Sequence, residues 1–263
     1  MNPSIRALLE EKLELYNQSS FISTDPVSIP HRFSRKQDIE IAGFFAALLA
    51  WGTRTGIINS CNKLLERMDQ APYDFITQTD FENDTRCARR FKGFVHRTFN
   101  ESDLWHLLHF LQFHYRQSPS LETAFSQWMQ PADPDTGAAL AGFHRYVFSY
   151  CAEAREEQHC RKHIATPEKK SACKRLNMYL RWMVRKDTRG VDFGIWKNIG
   201  AHRLICPLDV HVARVARGLG LLQRSQNDWA AALELTEHLR ELDPADPVKY
   251  DYALFGLGVM EKY

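Results

Sequence analysis

Apolar residues recur along this chain at intervals of three and four, the spacing of one helical face. Nowhere do they alternate for long enough to found a sheet. The spacing predicts a charged amphipathic helix over 5–16, followed by a loop with prolines at 26 and 30. A strongly apolar helix over 38–51 comes next, then one over 56–68 with Ile57, Ile58, Cys61, Leu64 and Leu65 on one face. SDLWHLLHFLQFHY, 102–115, has a broad apolar face and Ser102 or Asp103 as its candidate cap. QPADPDTG at 130–137 is the clearest loop. Further helices are expected over 138–159, 172–186, 209–219 and 227–242, the last capped by Asp228, with a closing helix from Val248. No internal repeat interrupts this series, and the fold class it predicts is all-α.

A chain of 263 residues with 44% hydrophobic content can bury a substantial core, as one large domain or two interlocked lobes. The most apolar run, 41–51, is too short to cross a bilayer. The opening MNPSIRALLEEKLELY carries charge where a secretory signal is apolar, so export is not expected. Six cysteines, at 61, 87, 151, 160, 173 and 206, include no C-x-x-C pair. Reduced thiols in a cytoplasmic protein are expected, not a disulfide frame or a zinc site. No H-x-x-x-H pair stands in a carboxylate motif, and His106, His109 and His114 read as one face of an aromatic helix, so no metal is expected.

The formal net charge of +2 conceals an asymmetry. Between 161 and 190 there are ten Lys and Arg against Glu168 and Asp187, so this segment carries +8 and the remainder −6. A basic segment in an otherwise acidic chain is an electrostatic footprint for a polyanion. Here the charges are interleaved with Leu176, Met178, Tyr179, Leu180, Trp182, Met183 and Val184, an apolar content that a solvated loop does not need.

Within SACKRLNMYLRWMVR, 171–185, Lys174 falls in the first helical turn beside Arg175. The positive end of the helix dipole disfavours a cation there and favours the neutral amine, the form that nucleophilic catalysis by lysine requires. A surface lysine is the competing explanation. In PLDVHVARVA, 207–216, Val212, Val215, Ala216 and Leu219 make the buried stripe, and Asp209 stands where an N-cap stands. A carboxylate held there is ionised and well placed to offset developing positive charge. Capping alone would also account for it.

Taken together, CKRLN at 173–177 and PLDVHVARVARGLGLL at 207–222 resemble the helix-hairpin-helix DNA glycosylase superfamily. Its signature is a hairpin, a K-x-x-N-like helix start, and a V/P-x-D-x-H-V-x-R-V helix carrying an aspartate. IAGFFAALLAWGTRTGIINSCNKLL at 41–65 and DPADPVKYDYALFGLGV at 243–259 are similar to the family's apolar helix, turn and following helix, and to its closing helix. The likeness covers roughly 38–68 and 160–260. CKRLNMYLRWMVR, DFGIW and PLDVHVARVA look like a bacterial branch of largely unassigned function. Among characterised branches it is most similar to the archaeal 8-oxoguanine glycosylases, which share a long lysine-to-aspartate interval, here 35 residues.

The resemblance implies a two-lobed helical fold, one lobe over 38–160 and the other over 161–263 with the N-terminal helix. It implies no iron–sulfur cluster, since the four-cysteine motif is absent, and no other cofactor. Lys174 would be the nucleophile and Asp209 its electrostatic partner, in a glycosylase with abasic-site lyase activity, an oxidised purine being favoured. Asp251 and Phe255, one turn apart, would read and stack the flipped base, with Trp51 and Arg54 near the gap it leaves. Lys169, Lys170, Ser171, Arg175, Arg181, Arg185, His211 and Arg214 would contact DNA, with Arg181 and Arg185 alternatively serving as buried partners for acids. The expected partner is double-stranded DNA with a flipped base, bound by a monomer in the cytoplasm at the nucleoid. The sequence departs from the family hairpin L-P-G-x-G-x-K, having TPEKKSACK without glycine, and has Trp51-Gly52-Thr53-Arg54 where a glutamine is common. A non-catalytic DNA- or RNA-binding protein on the same scaffold is the competing reading. TRCARRFKGFVHR at 85–97, a second basic and aromatic stretch, suits it.

Overall fold

The computed structural model describes residues 3–81, 83, 85–149 and 157–263. Helices dominate these residues, and the named strands are one short hairpin, Val95–His96 paired with Phe99–Asn100. The expected all-α class is what the chain adopts. Among the described residues no helix is long and apolar enough to cross a membrane. Contacts divide the chain into two compact units. The first comprises Met1–Ser23, Met129–Ala141 and Ala165–Tyr263, and the second Thr24–Trp128 and Gly142–Ile164. The stretch 129–141, expected with the lobe over 38–160, belongs to the first unit. Arg203 donates to the carbonyls of Gln130 and Pro131, and Thr136 N donates to Arg203 O at 3.1 Å.

In the second unit, the Lys36–Leu48 helix is buried from Ile39 onward. The one charge in that buried stretch, Glu40, is fully buried and accepts from Tyr115 Oη, Ser120 Oγ and Leu121 N. Such saturation is what makes a buried carboxylate tolerable. Thr53 caps the Arg54–Glu66 helix through Gly56 N. The Glu101–Tyr115 helix is capped by neither Ser102 nor Asp103. Asn100, held extended at the end of the hairpin, accepts from both their amides at 3.0 and 3.1 Å, and Asp103 reaches back to Asn100 N at 2.9 Å. The reciprocal bond satisfies one amide, that of Asn100, beyond the two that the cap itself takes. The helix expected over 138–159 runs over Gly137–Val147. It ends where the Phe148 and Ser149 amides tighten onto carbonyls three residues back. A short Glu157–Cys160 helix follows, and 150–156 lie outside the described residues.

In the first unit, the Pro3–Tyr16 helix buries Leu9 and Leu13 and lies along the closing Asp251–Val259 helix. Tyr16 packs on Gly256, where an added Cβ would stand 2.0 Å from Tyr16 Cδ2, so this crossing requires glycine. The Val210–Gly218 helix crosses the same closing helix at Gly258, 3.1 Å from His211 Cβ by the same construction. The Lys174–Val184 helix is central, with every residue from Leu176 to Val184 buried. The following turn folds back on it: Phe193 N and Trp196 N bond the carbonyls of Trp182 and Met183 at 2.8 and 2.9 Å. Its C-terminal carbonyls are thereby satisfied without water.

Candidate active site

The segment before Lys174 makes two left-handed turns without glycine. Thr166 accepts from Glu168 N to start a short 3-10 turn over Pro167–Lys169, and Lys170 ends it at φ 60°. Lys170 thus holds, at a cost in strain, a backbone conformation that glycine adopts freely. Trp229 N bonds Lys170 O at 3.0 Å, and Ser171 pairs with Asp228. Cys173 makes the second such turn at φ 50°, its amide donating to Ser171 Oγ, and Lys174 opens the helix. Asn177 Nδ2 ties this turn down through Ala172 O at 3.0 Å. No role was read for Asn177 from sequence; the signal for one was a polar residue within an otherwise apolar helical face.

Asp209 divides its two oxygens. Oδ1 accepts from His211 N and Val212 N, both at 2.9 Å, and caps the Val210–Gly218 helix. Oδ2 stands 3.9 Å from Lys174 Nζ. Buried Pro207 and Leu208, with Cys206 N bonded to Thr236 Oγ1 at 3.0 Å, fix the approach of the chain. The Lys174 and Asp209 side chains are 26% and 22% exposed, so solvent or a substrate can reach the pair. A separation of 3.9 Å exceeds a direct hydrogen bond and is the loose spacing common in catalytic pairs without substrate. Lys174 Nζ also lies 3.7 Å from Met178 Sδ.

Behind the pair is a buried ionic network. Arg181 is bonded to Asp251 and, at 3.3 Å, to Asp192; Arg185 reaches Asp187, Asp192 and Asp246 at 2.7, 3.0 and 2.8 Å. The Tyr252 ring lies beneath the Arg181 guanidinium at 4.2 Å. Burial pushes the Asp251 carboxyl up to about 6, against the opposing pull of Arg181. These positions correct two expectations. Arg181 and Arg185, 5% and 3% exposed, are structural cations and not phosphate contacts. Asp251, 4% exposed and joined to Arg181, is sealed beneath the pair and presents no edge to a base. The segment 161–190 therefore shows less positive charge at its surface than its sequence carries. Acids at 187, 192, 246 and 251 neutralise the two buried arginines.

Phe255 is half-buried and packs edge-on against Phe21 at 6.1 Å. Lys169 and Lys170 are exposed and Ser171 is half-buried. Half-buried Arg175 has its guanidinium brought down to about 10 by desolvation. His211 lies half-buried in the first turn after Asp209. Arg214 is exposed, but its guanidinium binds the carbonyls of Gly258 and Tyr263, each at 2.8 Å, and so secures the closing helix. Trp51 and Arg54 belong to the second unit. There the Arg97 guanidinium covers the Trp51 ring at 5.3 Å and His96 Nε2 contacts the Trp51 carbonyl at 3.1 Å, while Arg54 begins its helix.

No curated protein and no solved structure matches the chain. Residues 25–260 match a family described as a protein of unknown function, DUF2400, a span that takes in Lys174, Asp209 and the closing helix. The chain is thus a member of the DUF2400 family.

Proposed function

We propose that this protein is a DNA base-excision glycosylase with abasic-site lyase activity, acting on an oxidised purine such as 8-oxoguanine in duplex DNA. The observation that carries the proposal is the division of Asp209: one oxygen holds a helix end and the other faces the amine of Lys174, 35 residues away in the chain. A lysine beside a rigid carboxylate, both open to solvent, suits amine attack at a centre that develops positive charge.

The target nucleotide must leave the stack to reach such a pair. The lone pair of Nζ forms a bond to C1′ as the glycosidic bond breaks, and the bonding electrons leave with the base, which takes up a proton. Asp209 Oδ2 offsets the charge on the sugar and accepts a proton from the attacking amine. Opening of the C1′–O4′ bond gives the imine. Loss of a C2′ proton then expels the 3′ phosphate, and water releases Lys174. Lys169 and Lys170, exposed on the turn before Lys174, supply cations for the DNA backbone.

Borohydride trapping on duplexes containing 8-oxoguanine, uracil or an abasic site tests the proposal. The expected result is a covalent adduct with the 8-oxoguanine duplex that disappears in Lys174→Gln. Salt-sensitive binding with no adduct on any duplex would overturn it in favour of a non-catalytic binder.

A further inference from the structure

The second unit brings a distant aspartate to two histidines four residues apart. His159 stands one residue before the end of the Glu157–Cys160 helix, and His163 follows in a turn closed by its amide on Cys160 O at 2.9 Å. Asp103 enters from the first turn of the Glu101–Tyr115 helix, 56 residues before His159. His159 Nδ1 stands 2.7 Å from Asp103 Oδ1, and His163 Nε2 stands 3.3 Å from Oδ2. The three candidate ligand atoms lie within 4.8 Å of one another. The sequence expectation that no H-x-x-x-H pair has a carboxylate beside it is corrected here, because the fold supplies one from a distant helix.

We propose that Asp103, His159 and His163 bind a divalent first-row transition ion of the zinc type, with a coordination position open to solvent on the His159 side. Two imidazoles and one carboxylate form a donor set of borderline softness that suits such ions better than calcium or magnesium. Asp103 is fully buried; its carboxylate accepts from the Asn100 amide and is bonded to His159 Nδ1, with His163 Nε2 3.3 Å away. A buried carboxylate that faces two imidazole nitrogens gains from a cation held among them. The Asn100 amide, at 2.9 Å from Oδ2, also orients the carboxylate as metal-bound carboxylates are oriented.

The movement required is small and falls on the exposed member of the set. Donors around a tetrahedral zinc ion stand roughly 3.4 Å apart, so the ring nitrogens must close in by about an ångström. The His159 side chain is 43% exposed and sits near the end of a four-residue helix, whereas the His163 side chain is 3% exposed. Ligation through Nδ1 puts the ring proton on Nε2, which now lies 2.6 Å from Lys162 Nζ, so exposed Lys162 swings away. Three protein ligands with one outward position describe a reactive or exchangeable ion more than a closed structural one. The site lies in the unit that does not hold Lys174 and Asp209, and the inference does not rest on the glycosylase reading.

Calorimetric titration of the tag-free, chelator-treated full chain with zinc chloride tests it, supported by the visible absorption of the Co2+ form. The expected result is one ion per chain, bound about tenfold or more weakly in His159→Ala and in His163→Gln, with the Co2+ bands altered in both. His159 is exposed, so His159→Ala keeps the wild-type circular dichroism and decides the matter should His163→Gln fail to fold. Unchanged binding in His159→Ala would place the ion elsewhere and overturn the proposal. So would the absence of binding at about 0.1 mM zinc, which leaves the three residues as a hydrogen-bonded clamp.

Discussion

Asp209 serves a helix with one oxygen and a lysine with the other, and substitutions can separate the two tasks. Asparagine is as good a cap as aspartate but carries no charge, whereas alanine is no cap. Asp209→Asn should therefore leave the urea midpoint near that of wild type and abolish excision of 8-oxoguanine. Asp209→Ala should abolish excision and also lower stability by about 1 kcal/mol. Equal loss of stability in both would show that the charge, not the cap, holds this helix end. Lys174→Gln should eliminate the borohydride adduct and retain DNA binding in a gel-shift assay. Loss of binding alongside chemistry would make Lys174 a phosphate contact.

At the scale of elements, the Lys174–Val184 helix shows where a sequence reading stops. Its helical spacing, the caps at Asp209 and Asp228, and the apolar helices that became Lys36–Leu48 and Arg54–Glu66 were all legible, because each is set by neighbours within a turn or two. The lysine–aspartate pair was legible as two local patterns in a recognisable order. The burial of Arg181 and Arg185 was legible only as one of two alternatives, since their acids come from as far as Asp246 and Asp251 and only the fold sets them opposite. The cluster at Asp103, His159 and His163 escaped for the same reason. Removing one member of a buried ionic network leaves its partner unsatisfied, so Arg181→Met should cost about 3–5 kcal/mol in chemical unfolding. By contrast, Lys170→Gly relieves a left-handed non-glycine and should gain up to about 1 kcal/mol. It should also lower the slope of log affinity against log salt for duplex DNA by about 0.9 if Lys170 meets a phosphate. A stability loss in Lys170→Gly would mean that the lysine stem packs the turn more than its conformation strains it.

At the scale of the whole molecule, two aspartates in the first unit give acid stability opposing signs. Asp251 holds its proton up to about pH 6 when folded and gives it up near the ordinary 3.8 when unfolded. The folded state thus binds more protons between about pH 4 and 6, and this contribution to stability falls as pH rises through that window. Asp228, held at about 2 chiefly by Arg224, contributes stability that is lost as pH falls from about 4 to 2. The unfolding free energy of wild type minus that of Asp251→Asn should therefore decline from pH 4 to 6 and level off above about 7. A rising difference would reverse the assigned role of burial. The packing of Tyr16 on Gly256, and the bond between Tyr250 and Glu10 across 240 residues, also fix an order of events during synthesis. Every residue of the second unit has been synthesised by 164, so this unit can emerge and fold while translation continues. The first unit must wait with Leu9 and Leu13 uncovered until the 251–259 segment emerges. A ribosome that stalls between 209 and 251 leaves a half-folded nascent chain bearing Lys174 and Asp209 and lacking the helix that backs them, a ready client for chaperones and proteases.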